Sequence, residues 1–163
     1  MAKSVETSTA IGFYGGEFYV LSNFAAFRLY WLGHDFDTSE AAYQFCKFFA
    51  PLPTGTTDDD QAAIRDAILK ARSAHDAFKI AEKHERHRRL DWLNVRVGLM
   101  RDILRAKLAQ HEYVRRKLLQ TGDRPLVENS WRDSFWGWGE NQLGENQLGK
   151  LWMAIRAEIG AKK

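Results

Sequence analysis

Apolar positions along the chain recur mostly at helical spacing, and they predict six helices with a few short strands. Residues 11–31 break that period: aromatic and β-branched side chains interrupted by Gly15-Gly16 predict short strands and a turn, and Gly33-His34-Asp35 predicts another. The first helix is expected over 37–50, with Asp37 as N-cap, Glu40 at the capping-box spacing, and Pro51 and Pro53 as its stop. A polar loop over 52–60 leads to helices at 59–71 and 74–87, the latter with Ala74, Ala77, Phe78 and Ala81 on one face. The longest helix spans 91–110. Its stripe is Leu93, Val97, Met100, Leu104 and Leu108, widened by Trp92, Leu99 and Ile103. A short helix over 111–121 stops at Gly122, and Leu126-Val127 reads as a strand end. A loop over 129–146 precedes the last helix, 145–159, which should bury Leu148, Leu151, Trp152, Ile155 and Ile159. The sum is a helix-dominated α+β fold, one domain over 11–160 behind a polar tail at 1–10.

Composition narrows the class. The chain has 163 residues, 45% hydrophobic and 28% charged, which excludes a disordered or fibrous protein. A net charge of +3 is too small to demand nucleic acid but tolerates an anionic ligand. The one cysteine forms no internal disulfide, as expected of a cytoplasmic protein. The polar start shows no secretory signal, and no apolar run reaches the ~20 residues needed to span a bilayer, so no membrane partner is expected. The unusual feature is aromatic: 13% of residues, six of them Trp, enough to build a large core or to line a site for something flat.

Two constellations carry candidate chemistry. On the first helix Ala41, Ala42, Phe45, Phe48 and Phe49 make an apolar side, whereas Glu40, Tyr43, Gln44 and Lys47 fall at i, i+3, i+4, i+7. A carboxylate, a phenol, an amide and an ammonium in one strip suit a polar ligand and a held water. The same strip would also serve as a solvated face with Glu40 as a cap. The second is Trp131-Arg-Asp-Ser-Phe-Trp-Gly-Trp-Gly139, four aromatics in eight residues with Asp133 among them. Heterocycles stack on indoles for ~1–3 kcal/mol per base, although a structural Trp cluster fits equally well. Weaker signals are the Ser22-Asn23-Phe24 turn, His84 and His87 on a basic helix end, the run Arg86, Arg88 and Arg89, and Cys46, read as a buried, inert thiol. No zinc spacing, phosphate-binding glycine loop or serine nucleophile elbow is present, and no metal or cofactor is expected. Glu140-Asn-Gln-Leu-Gly is repeated at once from Glu145, a local duplication that lengthens a loop.

In order along the chain, Ser22-Asn23-Phe24, Thr38-Ser39-Glu40-Ala-Ala-Tyr43-Gln44-x-x-Lys47-Phe48, Asp91-Trp92, Leu104-x-Ala106-Lys107, Thr121-Gly122-Asp123, Leu126-Val127-Glu128, Asp133-x-x-Trp136-Gly137-x-Gly139 and Asn146-x-Leu148-Gly149-x-x-x-Met153-x-x-Arg156 resemble the NADAR family. The family includes YbiA-type N-glycosidases associated with riboflavin biosynthesis. The resemblance implies a small helix-rich α+β domain that hydrolyses the C–N bond between a base-like ring and a ribose phosphate. The implied substrate is 5-amino-6-(5-phosphoribosylamino)uracil, split to a diaminouracil and ribose 5-phosphate in metabolite damage control. It places the motif glutamate on Glu40, the motif aspartate on Asp133, and site tryptophans on Trp92 and Trp136. Asn23, Tyr43, Gln44, Lys47, Arg96, Gly137 and Asn146 are expected to contact substrate, with Arg72 as a further phosphate cation. Asn146 is favoured over Asn141 by its spacing to Met153 and Arg156. Alternatives are removal of ADP-ribose from guanine in nucleic acid, the one reading that brings in a nucleic-acid partner, or a non-catalytic ADP-ribose or nucleotide module.

Overall fold

A computed structural model describes residues 9–161. In chain order the elements are β1 (Ile11–Gly12), a 3₁₀ helix (Gly16–Leu21), β2 (Leu29–Trp31), β3 (His34–Phe36), α1 (Ser39–Phe45), α2 (Asp58–Leu69), α3 (Ala74–Lys83), a 3₁₀ turn (Glu85–His87), α4 (Trp92–Gln110), α5 (Glu112–Gln120), β4 (Leu126–Val127) and α6 (Gln147–Gly160). This is the helix-dominated α+β class that the pattern predicts. The chain forms two compact units, one from residues up to Ala25 together with those from Leu108 onward, the other from Ala26–Lys107. Most of the polar tail expected over 1–10 lies outside the described residues.

In the continuous unit, β2 and β3 pair antiparallel, Leu29 opposite Phe36 and Trp31 opposite His34. The turn is Leu32-Gly33, both at positive φ (48° and 84°), the geometry of a two-residue hairpin turn. The turn expected at 33–35 is therefore corrected by one residue, with His34 and Asp35 in the strand. α1 is capped by Thr38, whose Oγ1 accepts from the Ala41 N–H, not by the exposed Asp37. It ends at Phe45, short of the expected Ala50. Its exit tightens into i→i−3 turns (Lys47 N–H to the Gln44 carbonyl, Phe48 N–H to Phe45), and Pro51 forbids a return to helix. α2 starts with a capping box between Thr57 and Asp60 that the sequence reading did not identify. α2 and α3 pack on each other and on α1, which also meets β3.

α4 buries most of the predicted stripe, Trp92, Met100, Ile103, Leu104 and Leu108, and departs from it at Leu93. Leu93 is 63% exposed, whereas Trp92, Met100, Ile103, Leu104 and Lys107 are buried. The inward stripe runs through 92, 96, 100, 103/104 and 107 and so includes two cations, Arg96 and Lys107. Lys107 is wholly buried, its Nζ 5.2 Å from the Phe27 ring centroid, and burial alone lowers its pKa to about 7.

In the other unit β1 pairs parallel with β4, Ile11 opposite Leu126. Residues 16–21, expected to be extended, form a 3₁₀ helix entered through Gly16 at φ 73°. Phe18, Val20 and Leu21 are buried there, which overrides their β-propensity where no partner strand is available. α6 packs on β4 and α5. Its wholly buried Trp152 donates from Nε1 to the Leu21 carbonyl (2.8 Å), so the largest core side chain leaves no polar atom stranded.

Replacing Thr38 by Ala should cost about 1 kcal/mol in chemical denaturation, whereas Asp37→Ala should change stability by less than ~0.5 kcal/mol. The buried lysine gives a pH signature. Native Lys107 releases its proton near pH 7 while the unfolded chain keeps it to about pH 10, so the unfolded state binds more protons in between. Denaturation curves should therefore show wild type gaining stability relative to Lys107→Met as pH rises from about 7 to about 10.

Candidate active site

The polar strip of the first helix is interior. Every residue of α1 is buried, including Glu40 (7% exposed) and Gln44 (2%), so Glu40, Tyr43 and Gln44 do not face solvent, and Lys47, just past the helix, is half-buried. With Thr38 supplying the cap, the Glu40 carboxylate is turned to another use. Gln44, one turn on, donates from Nε2 to Glu40 Oε1 at 2.6 Å inside the protein. The Gln44 Oε1 atom has no hydrogen-bond partner, an orphaned acceptor whose desolvation costs about 1–3 kcal/mol.

Lys47 and Trp92 complete the group. Trp92, the first residue of α4, lies against Tyr43 with ring centroids 4.9 Å apart. The Lys47 Nζ sits 5.5 Å from the Tyr43 centroid and 5.6 Å from that of Trp92, so the ammonium faces two π systems. Burial is the leading cause that lowers the Lys47 pKa. The Glu40 and Glu85 carboxylates act against it, and the Arg88 and Arg96 guanidiniums add to it. The cluster thus holds a positioned carboxylate, an amine with weakened hold on its proton, a flat aromatic wall and a spare amide acceptor. It can bind a planar polar ring and offers charge and proton transfer beside it.

Asn23, Asp133, Trp136, Gly137 and Asn146 lie in the other unit, where several serve the backbone. Asp133 Oδ1 accepts from the N–H groups of Phe135 (2.9 Å) and Trp136 (2.8 Å), which folds the aromatic loop back on itself. Trp136 is half-buried, edge-on to Phe135 at 4.9 Å, and Trp131 is 48% exposed. Gly137 has no room for a side chain, since a Cβ would come within 2.7 Å of the Glu128 carbonyl oxygen. Asn146 accepts from the Glu128 N–H and donates to the Leu126 carbonyl, both at 2.9 Å, and its left-handed backbone (φ 50°) starts α6. Asn23 is buried in the turn after the first 3₁₀ helix.

The duplicated pentapeptide takes two conformations. The first copy is an exposed turn with Leu143 83% exposed, and the second enters α6, where a Cβ on Gly149 would overlap the Leu126 carbonyl. The Cys46 thiol is buried and its pKa is raised to about 11, chiefly by desolvation, as the inert reading requires. Arg72 is exposed in the turn between α2 and α3.

Sequence reasoning assigned no site role to two buried ionisable residues. Lys107 is legible only as a cation on the inward stripe of α4. Glu128, buried at the end of β4, lies near Tyr19, whose phenol pKa is raised by burial, by Tyr14 and by this carboxylate. Among the described residues no three His, Cys, Asp or Glu side chains gather as a ligand set, and no helix is long and apolar enough to cross a membrane.

The fold is helix-rich α+β, and its continuous unit gathers a carboxylate, a lysine and an indole. The chain belongs to the NADAR domain family, whose profile matches residues 12–160. An N-glycosidase of Nostoc punctiforme is 38% identical over 138 residues, 85% of this chain and 83% of that protein. A riboflavin biosynthesis protein of Vibrio vulnificus is 34% identical over 85% of this chain, which spans only 35% of that longer protein. The solution structure of Escherichia coli YbiA matches with a TM-score of 0.80 and 31% identity, over 98% of this chain and 90% of that one. The enzyme class expected from the sequence, a hydrolase of N-glycosidic bonds, is the one the Nostoc relative's name carries.

The field around Lys47 is directly testable by NMR titration of isotopically methylated lysines. Glu40→Gln should lower the Lys47 pKa further, and Arg96→Ala should raise it toward the ordinary lysine range.

Proposed function

We propose that this protein hydrolyses the C–N bond between a base-like heterocycle and ribose 5-phosphate, with 5-amino-6-(5-phosphoribosylamino)uracil as substrate. Water adds its oxygen to the anomeric carbon, the glycosidic nitrogen leaves with a proton, and the products are a diaminouracil and ribose 5-phosphate. Positive charge builds on the sugar as the bond opens and negative charge on the departing ring. Glu40 stabilises the first and takes the proton of the attacking water. A positioned general base contributes typically 10²–10⁴-fold. Gln44 holds that carboxylate from one side, and Lys47 sets its electrostatic environment from the other. Tyr43 and Trp92 form the wall against which the heterocycle lies.

The observation that carries this reading is the buried Glu40–Gln44 hydrogen bond beside an ammonium set against two rings. A carboxylate and a lysine held inside a fold are a poor way to gain stability and a good way to prepare a reactive site. The names of the Nostoc and Vibrio relatives point the same way.

Incubation of the purified protein with the ribosylaminouracil substrate, with chromatographic detection of free base and sugar phosphate, tests the proposal. Glu40→Gln should lose at least about 100-fold in kcat while keeping its melting temperature and ligand affinity. Wild-type turnover by that variant would remove Glu40 from the mechanism. Release of guanine from ADP-ribosylated nucleic acid, with none from the metabolite, would transfer the activity to the ADP-ribosyl substrate.

A further inference from the structure

We propose that His87 is a positioning residue for the reaction: as a neutral ring with its proton on Nδ1, it pins the segment leading to Trp92 against the start of α2. The proposal rests on the glycosidase reading for what Trp92 and Lys47 do. The sequence places His87 on a basic helix end, but the structure buries it (8% exposed). Its ring reaches Thr56, in the loop before α2, with Nδ1 3.0 Å from the threonine Oγ1. On the other side Arg86 Nε donates to His87 Nε2 at 2.9 Å. A guanidinium can only donate, so Nε2 keeps its lone pair, the proton sits on Nδ1, and Nδ1–H donates to Thr56.

The same residue is gripped through its backbone. Gln61, near the start of α2, is wholly buried and donates from Nε2 to the His87 carbonyl at 2.7 Å. The Gln61 Oε1 atom has no hydrogen-bond partner, and stranding it costs about 1–3 kcal/mol. Apolar groups of the same shape would seal this contact without that cost. What the polar contacts add is direction, a single register for the chain that follows.

That chain runs straight into the site. The Arg89 N–H donates to the Lys47 carbonyl at 2.8 Å and the Leu90 N–H to the Pro51 carbonyl at 3.0 Å, so the segment is laid along the exit of α1. Arg89 and Asp91 close a two-pronged ion pair within it. It ends at Trp92, whose ring centroid lies 4.9 Å from that of Tyr43 and 5.6 Å from Lys47 Nζ. Every link, from Thr56 through His87 to Lys47, is inside the continuous unit. The charged and titratable groups that face the ring are Arg86, the His84 ring at 6.2 Å and Asp60 of the α2 capping box. A cationic His87 would lose Nε2 as an acceptor and set a second positive charge against Arg86, so the pin requires the neutral ring.

NMR tests the pin without reference to activity. Long-range proton–nitrogen correlation of the histidine rings should show His87 protonated at Nδ1 and bare at Nε2. A cationic ring or the opposite tautomer overturns the proposal. His87→Leu should raise the Lys47 pKa toward the ordinary lysine range, because burial is the leading cause of its depression. The same variant should lose at least about tenfold in kcat/KM for the ribosylaminouracil substrate, assayed well below its melting transition. His87→Asn, which keeps an N–H donor near the Nδ1 position, should recover both. A residue that only stabilised the fold would lower the melting temperature and leave Lys47 and kcat/KM as in wild type, and that result overturns the proposal. Should His87→Leu not fold, Thr56→Val removes the acceptor alone and should move Lys47 and kcat/KM in the same directions. Unmoved values in that variant overturn the proposal. A Lys47 shift in a protein whose wild type releases no base would uphold the pin and remove the glycosidase reading. Base release by wild type, with Lys47 and kcat/KM unmoved in the variants, would do the reverse.

Discussion

The continuous unit depends on burying a short helix that carries charge. All seven residues of α1 are inside, and α2, α3 and β3 surround it. Enclosing a carboxylate this way costs several kcal/mol before its contacts are counted. The Gln44 amide hydrogen-bonds it, the Thr38 hydroxyl caps the helix by accepting from the Ala41 N–H, and two rings face the adjacent ammonium. Well-packed apolar residues of the same volume would hold the helix at least as well. The arrangement therefore makes sense as a prepared electrostatic site, in which the charges are fixed before a ligand arrives and need no reorganisation when charge develops on it.

The other unit solves a different problem, that of holding an eighteen-residue loop rich in Trp and Gly in one shape. Backbone pairing does most of this. Trp138 and Gly139 donate to Glu128 and Ser130, and the first N–H groups of α6, Gln147 and Leu148, donate to Phe135 and Trp136. The loop thus satisfies the helix start that Asn146 leaves uncapped, while Asn146 and Asp133 fasten the strand and the turn on either side. Glycine at 137, 144 and 149 follows from this closeness, because at each a Cβ would meet a carbonyl oxygen. The conspicuous composition of the segment is accounted for by packing before any ligand is considered.

Helix positions were largely legible because they follow from apolar periodicity, as the α6 face shows, with Leu148, Leu151, Trp152 and Ile155 all buried. The Glu40–Lys47 strip was legible too, as residue types at helical spacing. Two kinds of feature were not. The cap of α1 moved by one residue because Asp37 and Thr38 are equally good caps in isolation, and only the end of β3 decides which side chain reaches the helix start. Most of the inward stripe of α4 was legible, but Leu93 was read as inward and Lys107 was not, because a leucine outweighs a lysine in any hydrophobic pattern.

The order of residues alone determined the class of fold, the existence of the six helices and the presence of a carboxylate, an amide and a lysine on one helical edge. Local periodicity and capping chemistry are short-range and act before the chain is compact. Whether that edge met water or protein depended on the packing of α2, α3 and β3 on α1 and on the Trp92 ring that meets Tyr43. Desolvation is a property of the assembled neighbourhood, so the burial that depresses Lys47 and leaves Gln44 Oε1 without a partner exists only in the folded structure.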